Sequence, residues 1–318
     1  DRMINRMGQN TVGLTLNYQA TPRWRHNLVF GYDHSRNLSY EPEPANLFPG
    51  DTFVDLMQAE SERRSVRYNT TLEVDVREGV TGRFTVGGDY WYYDAVGSSS
   101  YDLRKAFPNV VTSDNTYSNF QNNKWWNAGY FGLAEIGFYD RLFLTMATRI
   151  EDMRNLGEDY GRPVQPRVGA SYVQQLGPVE AKFRAQWGKG IRMPSASARV
   201  GSTSAWSVYL PNPELGPEEK VGWDAGVELY WGDRGSLSVT RYDEVGTNLI
   251  QVVNIDMQAT PPVYQYQNIG EVGSEGWEVE ATASLGRFTL KANYAYADNR
   301  IRALSNAYLD SPWQTYKI

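Results

Sequence analysis

Between positions 221 and 231 the side chains alternate. Trp223, Ala225, Val227, Leu229 and Trp231 fall on one face of an extended strand, and Gly222, Asp224, Gly226, Glu228 and Tyr230 on the other. The same period of two returns in Phe84, Val86, Gly88, Tyr90 and Tyr92 against Arg83 and Asp89, and in Leu142, Leu144, Met146, Thr148 and Ile150 against Arg149 and Glu151. It recurs in Val179, Ala181, Phe183, Ala185 and Trp187 against Lys182, Arg184 and Gln186, and in Phe288, Leu290, Ala292, Tyr294 and Tyr296 against Lys291 and Asn293. Read this way, the chain predicts about twelve strands and almost no helix. They cover residues 10–19, 24–36, 64–75, 83–94, 126–138, 142–151, 164–175, 179–188, 221–231, 236–252, 263–284 and 288–298.

The connections alternate short and long. Tight turns fall near 20–23, 78–79, 139–141, 176–178, 232–235 and 285–287, and long polar segments separate the resulting hairpins. A meander of that kind places its turns at one rim and its elaborated loops at the other, as outer-membrane barrels do. The apolar faces carry small and β-branched residues in the middle and rings near the ends. Trp223 and Trp231, eight residues apart on a strand tilted by roughly 40°, lie about 20 Å apart across the sheet, close to the ~25 Å apolar band between aromatic girdles. A soluble sandwich also alternates, but its strands cluster at ~5–6 residues and the runs here reach ten or more. The predicted fold class is all-β, an antiparallel transmembrane β-barrel with about twelve strands present.

Composition changes this picture little. A mean hydropathy of -0.55 would by itself suggest a soluble protein, yet alternating barrel strands are hydrophilic on average. No segment approaches the roughly 18 consecutive apolar residues of a spanning helix, so a membrane role has to come from strands. The absence of Cys excludes thiol catalysis, disulfides and thiolate metal sites, and a net charge of -6 weighs against nucleic acid as a partner. There is no Gly-x-Ser-x-Gly, no P-loop and no Ser/His/Asp order. Neither an enzyme nor a bound cofactor is expected.

The tight turns follow the odd-numbered strands, which puts both ends of the chain at the long-loop rim. A complete bacterial barrel has an even strand count and short inner turns, and an open sheet edge in lipid leaves backbone groups unsatisfied at several kcal/mol each. The expectation is therefore one domain, residues 1–318, forming part of a larger barrel whose plug domain and terminal strands are absent from this chain.

Four motifs add a resemblance. Gly190-Ile191-Arg192-Met193-Pro194-Ser195 resembles the Gly-aromatic-Arg-x-Pro-Ser stretch of TonB-dependent outer-membrane receptors, with Ile191 in place of the aromatic. Asn212-Pro213-Glu214-Leu215-Gly216-Pro217-Glu218 resembles their Asn-Pro-x-Leu-x-Pro-Glu, just before a barrel strand. Pro166-Arg167-Val168-Gly169 with Tyr172, and Asn268-Ile269-Gly270 followed by Gly276-Trp277-Glu278, complete the series in the family's order. The resemblance implies a barrel of roughly 22 strands closed by an amino-terminal plug in the bacterial outer membrane. It also implies uptake of a scarce ligand, such as a ferric siderophore or cobalamin, with energy from the TonB–ExbB–ExbD complex acting through the plug. A structural or adhesive barrel anchoring a partner protein is the rival reading, and a barrel enzyme the third.

Candidate ligand-binding residues are the loop aromatics Tyr101, Trp125, Trp206 and Tyr209, whose rings and polar tips suit an amphipathic ligand. Arg192 is expected to point into the lumen toward the plug, where its guanidinium can pair with carboxylates. His26 and His34 share a strand face but lack a further ligand for a metal. Val227→Arg is expected to be costly in lipid, and Glu228→Arg, on the polar face, to be tolerated.

Overall fold

The computed structural model describes residues 3–43, 53–102, 116–153, 161–203 and 207–303. The strands are, in chain order, β1 (Ile4–Thr21), β2 (Trp24–Glu43), β3 (Phe53–Arg77), β4 (Val80–Asp102), β5 (Thr116–Phe138), β6 (Leu142–Met153), β7 (Val164–Leu176) and β8 (Val179–Arg192). After β8 come a short helix α1 (Ala196–Val200), β9 (Ser202–Thr203), β10 (Val208–Leu210), β11 (Glu218–Tyr230), β12 (Gly235–Thr247), β13 (Ile250–Asp256), β14 (Val263–Asn268), β15 (Glu271–Leu285) and β16 (Phe288–Ala303). Twelve of them build one sheet in the order β1-β2-β3-β4-β5-β6-β7-β8-β11-β12-β15-β16, and every neighbouring pair in it is antiparallel. The remaining four form a small second sheet, β13-β14-β10-β9, drawn from two loops at the long-loop rim.

Cross-strand register confirms that the two faces differ in kind. On β8 and β11, Trp187 faces Trp223, Ala185 faces Ala225 and Phe183 faces Val227, whereas Gln186 faces Asp224 and Lys182 faces Glu228 on the opposite side. The apolar face is left uncovered: Met146 is 63% exposed, Leu290 64% and Tyr294 62%. Large apolar side chains exposed to water normally seek a second layer of chain, and among the described residues none covers this face. On the wall only small or turn-adjacent apolar residues such as Ala128, Ala181 and Val80 are buried among the described residues, whereas Ala198, Leu215, Val253 and Ile269 are buried around the loop sheet.

The polar face is cross-linked by charge. Arg184 on β8 donates to Asp224 (2.6 Å) and Glu228 (2.9 Å) on β11, and reaches past β11 to the Thr240 hydroxyl on β12 at 2.7 Å. Lys182 and the Tyr230 hydroxyl also donate to Glu228, at 3.2 and 2.7 Å. Arg149 on β6 likewise spans β5 to make a two-pronged contact with Asp89 on β4, at 2.8 and 3.1 Å, while its Nε pairs with Glu151. In both cases a glycine on the middle strand opens the path. A Cβ at Gly129 would overlap the Arg149 guanidinium, and one at Gly226 would crowd the Val239 carbonyl and the Thr240 hydroxyl that Arg184 reaches.

All twelve predicted strands are present, with two corrections at their ends. The ladders run well past the apolar band: β2 continues to Glu43, β3 begins at Phe53, and β4 and β5 reach Asp102 and Thr116. Both faces are polar there, so the alternation fades while backbone pairing continues; Ser35 and Ser61, 2.8 Å apart, sit on one such stretch. The predicted strands 236–252 and 263–284 are each two strands. Asn248 (φ 55°) and Gly270 (φ 83°) turn the chain through left-handed conformations, ending β12 before β13 and separating β14 from β15.

The charge network also corrects the expectation for Glu228. Replacing it with Arg would set three cations together, so the change is not tolerated. Glu228→Gln is expected to destabilise the barrel by about 1–3 kcal/mol through loss of charged hydrogen bonds, Val227→Arg by about 2–4 kcal/mol at mid-bilayer, and Gly129→Val by about 1–3 kcal/mol through displacement of Arg149. Urea unfolding of the reconstituted barrel, followed by Trp fluorescence, measures all three; a neutral Val227→Arg would contradict the assigned orientation.

Candidate functional site

Polar and aromatic groups converge at the long-loop end of the polar face. On β4 and β5, Tyr93 faces Trp125 and Trp91 faces Asn127. The Trp125 ring lies 4.1 Å from Tyr93 and 6.5 Å from Trp91, and the Arg63 guanidinium sits 5.5 Å over the Trp91 ring. On the opposite face at the same height Tyr90 stacks with Trp126 at 6.1 Å, so the cluster is level with the aromatic girdle nearest the loops. Above it opens a cleft of about 350 Å³ lined by Ser35, Asn37, Ser61, Tyr93, Ala95 and Asn123. Below it lies the Arg149 network, beside which Asn127 and Glu151 are buried polar side chains.

The second feature is a clasp that docks the loop sheet on the wall. Asn268 accepts from the Gly216 amide (2.7 Å) and donates to the carbonyls of Gly216 (3.0 Å) and Asn248 (2.8 Å). Asn212 donates to the Tyr266 carbonyl at 2.7 Å. Glu218, 8% exposed, binds Arg192 through both oxygens at 2.5 and 2.6 Å and accepts from the Ile250 amide at 2.8 Å. One carboxylate thus ties the ends of β8 and β11 to the first residue of β13. On the sheet it holds, Tyr209 stacks between Tyr264 and Tyr266, with ring centroids 5.4 Å away on each side. Burial, and then the neighbouring Tyr266 and Tyr264, raise the Tyr209 pKa above the usual phenol value.

This geometry accounts for the sequence candidates one by one. Trp125 stands in the aromatic cluster, and Tyr209 stands in the tyrosine stack, each with its own ring partners. Tyr101 lies near the end of β4 with its side chain outside the described residues, and Trp206 lies outside them altogether. Arg192 shares the polar face with Lys182 and Arg184 through its register with Glu218. His26 and His34 bond separately, to the Tyr68 hydroxyl and to Glu60, each at 2.8 Å, and no group of three or more potential metal ligands occurs among the described residues. Sequence reasoning missed Asn127, Glu151, Tyr264 and Tyr266. The two tyrosines, spaced by two, were a visible signal, whereas nothing marked the other pair before the strands were aligned.

A model of the family described as TonB dependent receptor-like, beta-barrel, matches residues 2–316. The chain belongs to that family. TonB-dependent receptor barrels are bacterial outer-membrane proteins, and the polar face described above accordingly lines the lumen while the apolar face meets lipid. Among solved structures, the chain resembles the RagAB peptide transporter with a TM-score of 0.79 at 13% identity, covering 96% of this chain and 38% of that one. It resembles the copper transporter OprC with a TM-score of 0.68 at 16% identity, covering 93% and 47%. It resembles the ferripyoverdine receptor of the Pseudomonas aeruginosa outer membrane with a TM-score of 0.65 at 16% identity, covering 94% and 41%. The chain spans less than half the length of each of these three, and at such identities the likeness concerns the fold.

The clasp predicts a local phenotype. Asn268→Ala strands the Gly216 amide and carbonyl, which costs about 1–3 kcal/mol for each buried group left unpaired. Limited proteolysis is expected to cut the 193–217 connection faster in this variant while the wall strands stay resistant; unchanged cleavage would show that the loop sheet is held by other means.

Proposed function

We propose that this chain is the barrel portion of an outer-membrane receptor that imports a scarce ligand, a ferric siderophore, cobalamin or a molecule of similar size, driven by the TonB–ExbB–ExbD complex through a plug domain. The observation that carries the reading is the pairing of a lipid-facing wall with an aromatic and polar mouth inside it, at the rim where the loops lie. A passive pore needs only a polar lining; Trp91, Tyr93 and Trp125 gathered at one height, and the tyrosine stack on the loop sheet at the same rim, form surfaces that grip a ligand before it passes. Tyr101, Trp125, Trp206 and Tyr209 are the residues we assign to ligand contact, and Arg192, with Glu218, to the lumen side that meets the plug.

Two further points support the larger assembly. β1 is exposed along nearly its whole length and so is β16, so each offers an edge for additional strands, and edges in lipid demand partners. The solved structures it resembles are about twice as long as this chain or longer. We therefore read residues 1–318 as part of a barrel of roughly 22 strands, located in the outer membrane. Its work is binding and release, with no covalent step assigned to any residue.

Uptake tests this directly. Cells expressing the full-length receptor are expected to accumulate a radiolabelled member of a panel of ferric siderophores and cobalamin only when TonB is present. Trp125→Ala and Tyr209→Ala are each expected to weaken binding of that compound about tenfold, in line with the loss of one stacked ring. Accumulation that ignores TonB deletion would overturn energised import, and no accumulation of any compound in the panel would favour the anchoring role.

A further inference from the structure

The lumen face just below the Trp125 cluster holds polar groups that the protein itself leaves unmatched. Asn127 and Glu151 are 8% and 9% exposed, and their Oδ1 and Oε2 atoms are buried without a hydrogen-bond partner among the described residues. The two lie on neighbouring strands of one face: Glu151 faces Gly129, two residues along β5 from Asn127. Unmatched buried acceptors cost about 1–3 kcal/mol each, and a native structure that keeps two side by side keeps them for a reason.

Arg149 cannot serve them. Its Nη atoms are committed to Asp89 and its Nε to the other oxygen of Glu151. One guanidinium between two carboxylates leaves the group with one excess negative charge, and Glu151 Oε2 has no hydrogen-bond partner among the described residues. One donor on the next strand is also unmatched. Gln165, opposite Arg149 on β7, has a buried Nε2 with no hydrogen-bond partner among the described residues. Trp125, two residues from Asn127 on the same face of β5 and packed on Tyr93, offers an apolar roof beside Asn127.

We propose that this part of the wall is a binding site for a protonated amine whose neighbouring polar atoms are oxygens. The ammonium donates to Glu151 Oε2 and Asn127 Oδ1, the Gln165 amide donates to a ligand oxygen, and the ligand's apolar face packs under Trp125. Charge-assisted hydrogen bonds of this type are the strong ones, and an aromatic roof adds attraction for a cation. A peptide amino terminus and an amino sugar both present this chemistry. The inference rests on the reading of the protein as a ligand-binding receptor, and narrows which ligands it takes.

Titration calorimetry on the full-length receptor in detergent tests it with four probes: trialanine, N-acetyl-trialanine, glucosamine and N-acetylglucosamine. At least one free amine is expected to bind about tenfold or more tightly than its acetylated form, and the one that does so names the source. Glu151→Gln is expected to abolish that preference, while Trp125→Ala weakens the free and acetylated forms of that probe alike. Heat-modifiable gel migration reports whether each variant is a folded barrel, and Asn127→Leu replaces Glu151→Gln if the latter is not. Equal binding of free and acetylated forms, no binding of either amine, or a preference that survives Glu151→Gln would overturn the proposal. A receptor that shows TonB-dependent uptake yet ignores acetylation would keep its transport role and lose this site.

Discussion

A chain that crosses lipid by strands has to satisfy every backbone amide and carbonyl within the sheet, because the hydrocarbon offers no partner for them. That constraint sets the order of the twelve wall strands. Each lies next to its neighbour in the sequence, so each hairpin closes its own hydrogen bonds with a short turn at one rim. Tyr139 and Asp140, both with positive φ, make one of these turns. The ladders do not stop at the edge of the apolar band; they run on into the long-loop region, where β3 alone extends over 25 residues. Backbone pairing, rather than side-chain character, decides where these strands end.

With the backbone satisfied, the two faces are free to serve different solvents. The outer face keeps rings at its ends and small or branched groups between them. The inner face carries charge, and it places charges of opposite sign within reach of one another across two and even three strands. Arg149 and Arg184 do this by lying over Gly129 and Gly226, so that a residue with no side chain becomes the passage for the longest one. Long guanidinium arms thereby stiffen the wall sideways, perpendicular to the strands, where the hairpins alone give only pairwise contact.

The family motifs serve a related end at the rim. Arg192, Asn212, Glu218 and Asn268 come from four separate places in the chain and meet around the base of the loop sheet. Glu218 joins two wall strands to β13, and Asn268 closes the gap between Gly216 and Asn248. Leu215 and Ile269 fill the small core beneath them. The loop sheet is thus a fixed platform rather than a loose cover, and its tyrosine stack is held at a defined place beside the mouth. Binding surfaces positioned by a rigid scaffold lose less entropy when a ligand arrives.

The alternation of Trp223 to Leu229, and its equivalents elsewhere, determined the strands, their two faces and the rim at which each loop lies, because a period of two is a local property written residue by residue. Trp125 and Tyr209 read as rings in polar loops, but Trp125 lies within β5 and Tyr209 on β10, because backbone pairing continues where the alternation has faded. Where the alternation disappears the sequence is silent: the polar extensions of β2 to β5, and the breaks at Asn248 and Gly270, follow from pairing and from left-handed turns that leave no periodic mark. The grouping of Asn127, Glu151 and Gln165 beside Arg149, and of Tyr209 with Tyr264 and Tyr266, was decided only by the tertiary structure. Those residues are separated along the chain, and it is the register between strands, set by the summed hydrogen bonds of whole ladders, that carries them to one place.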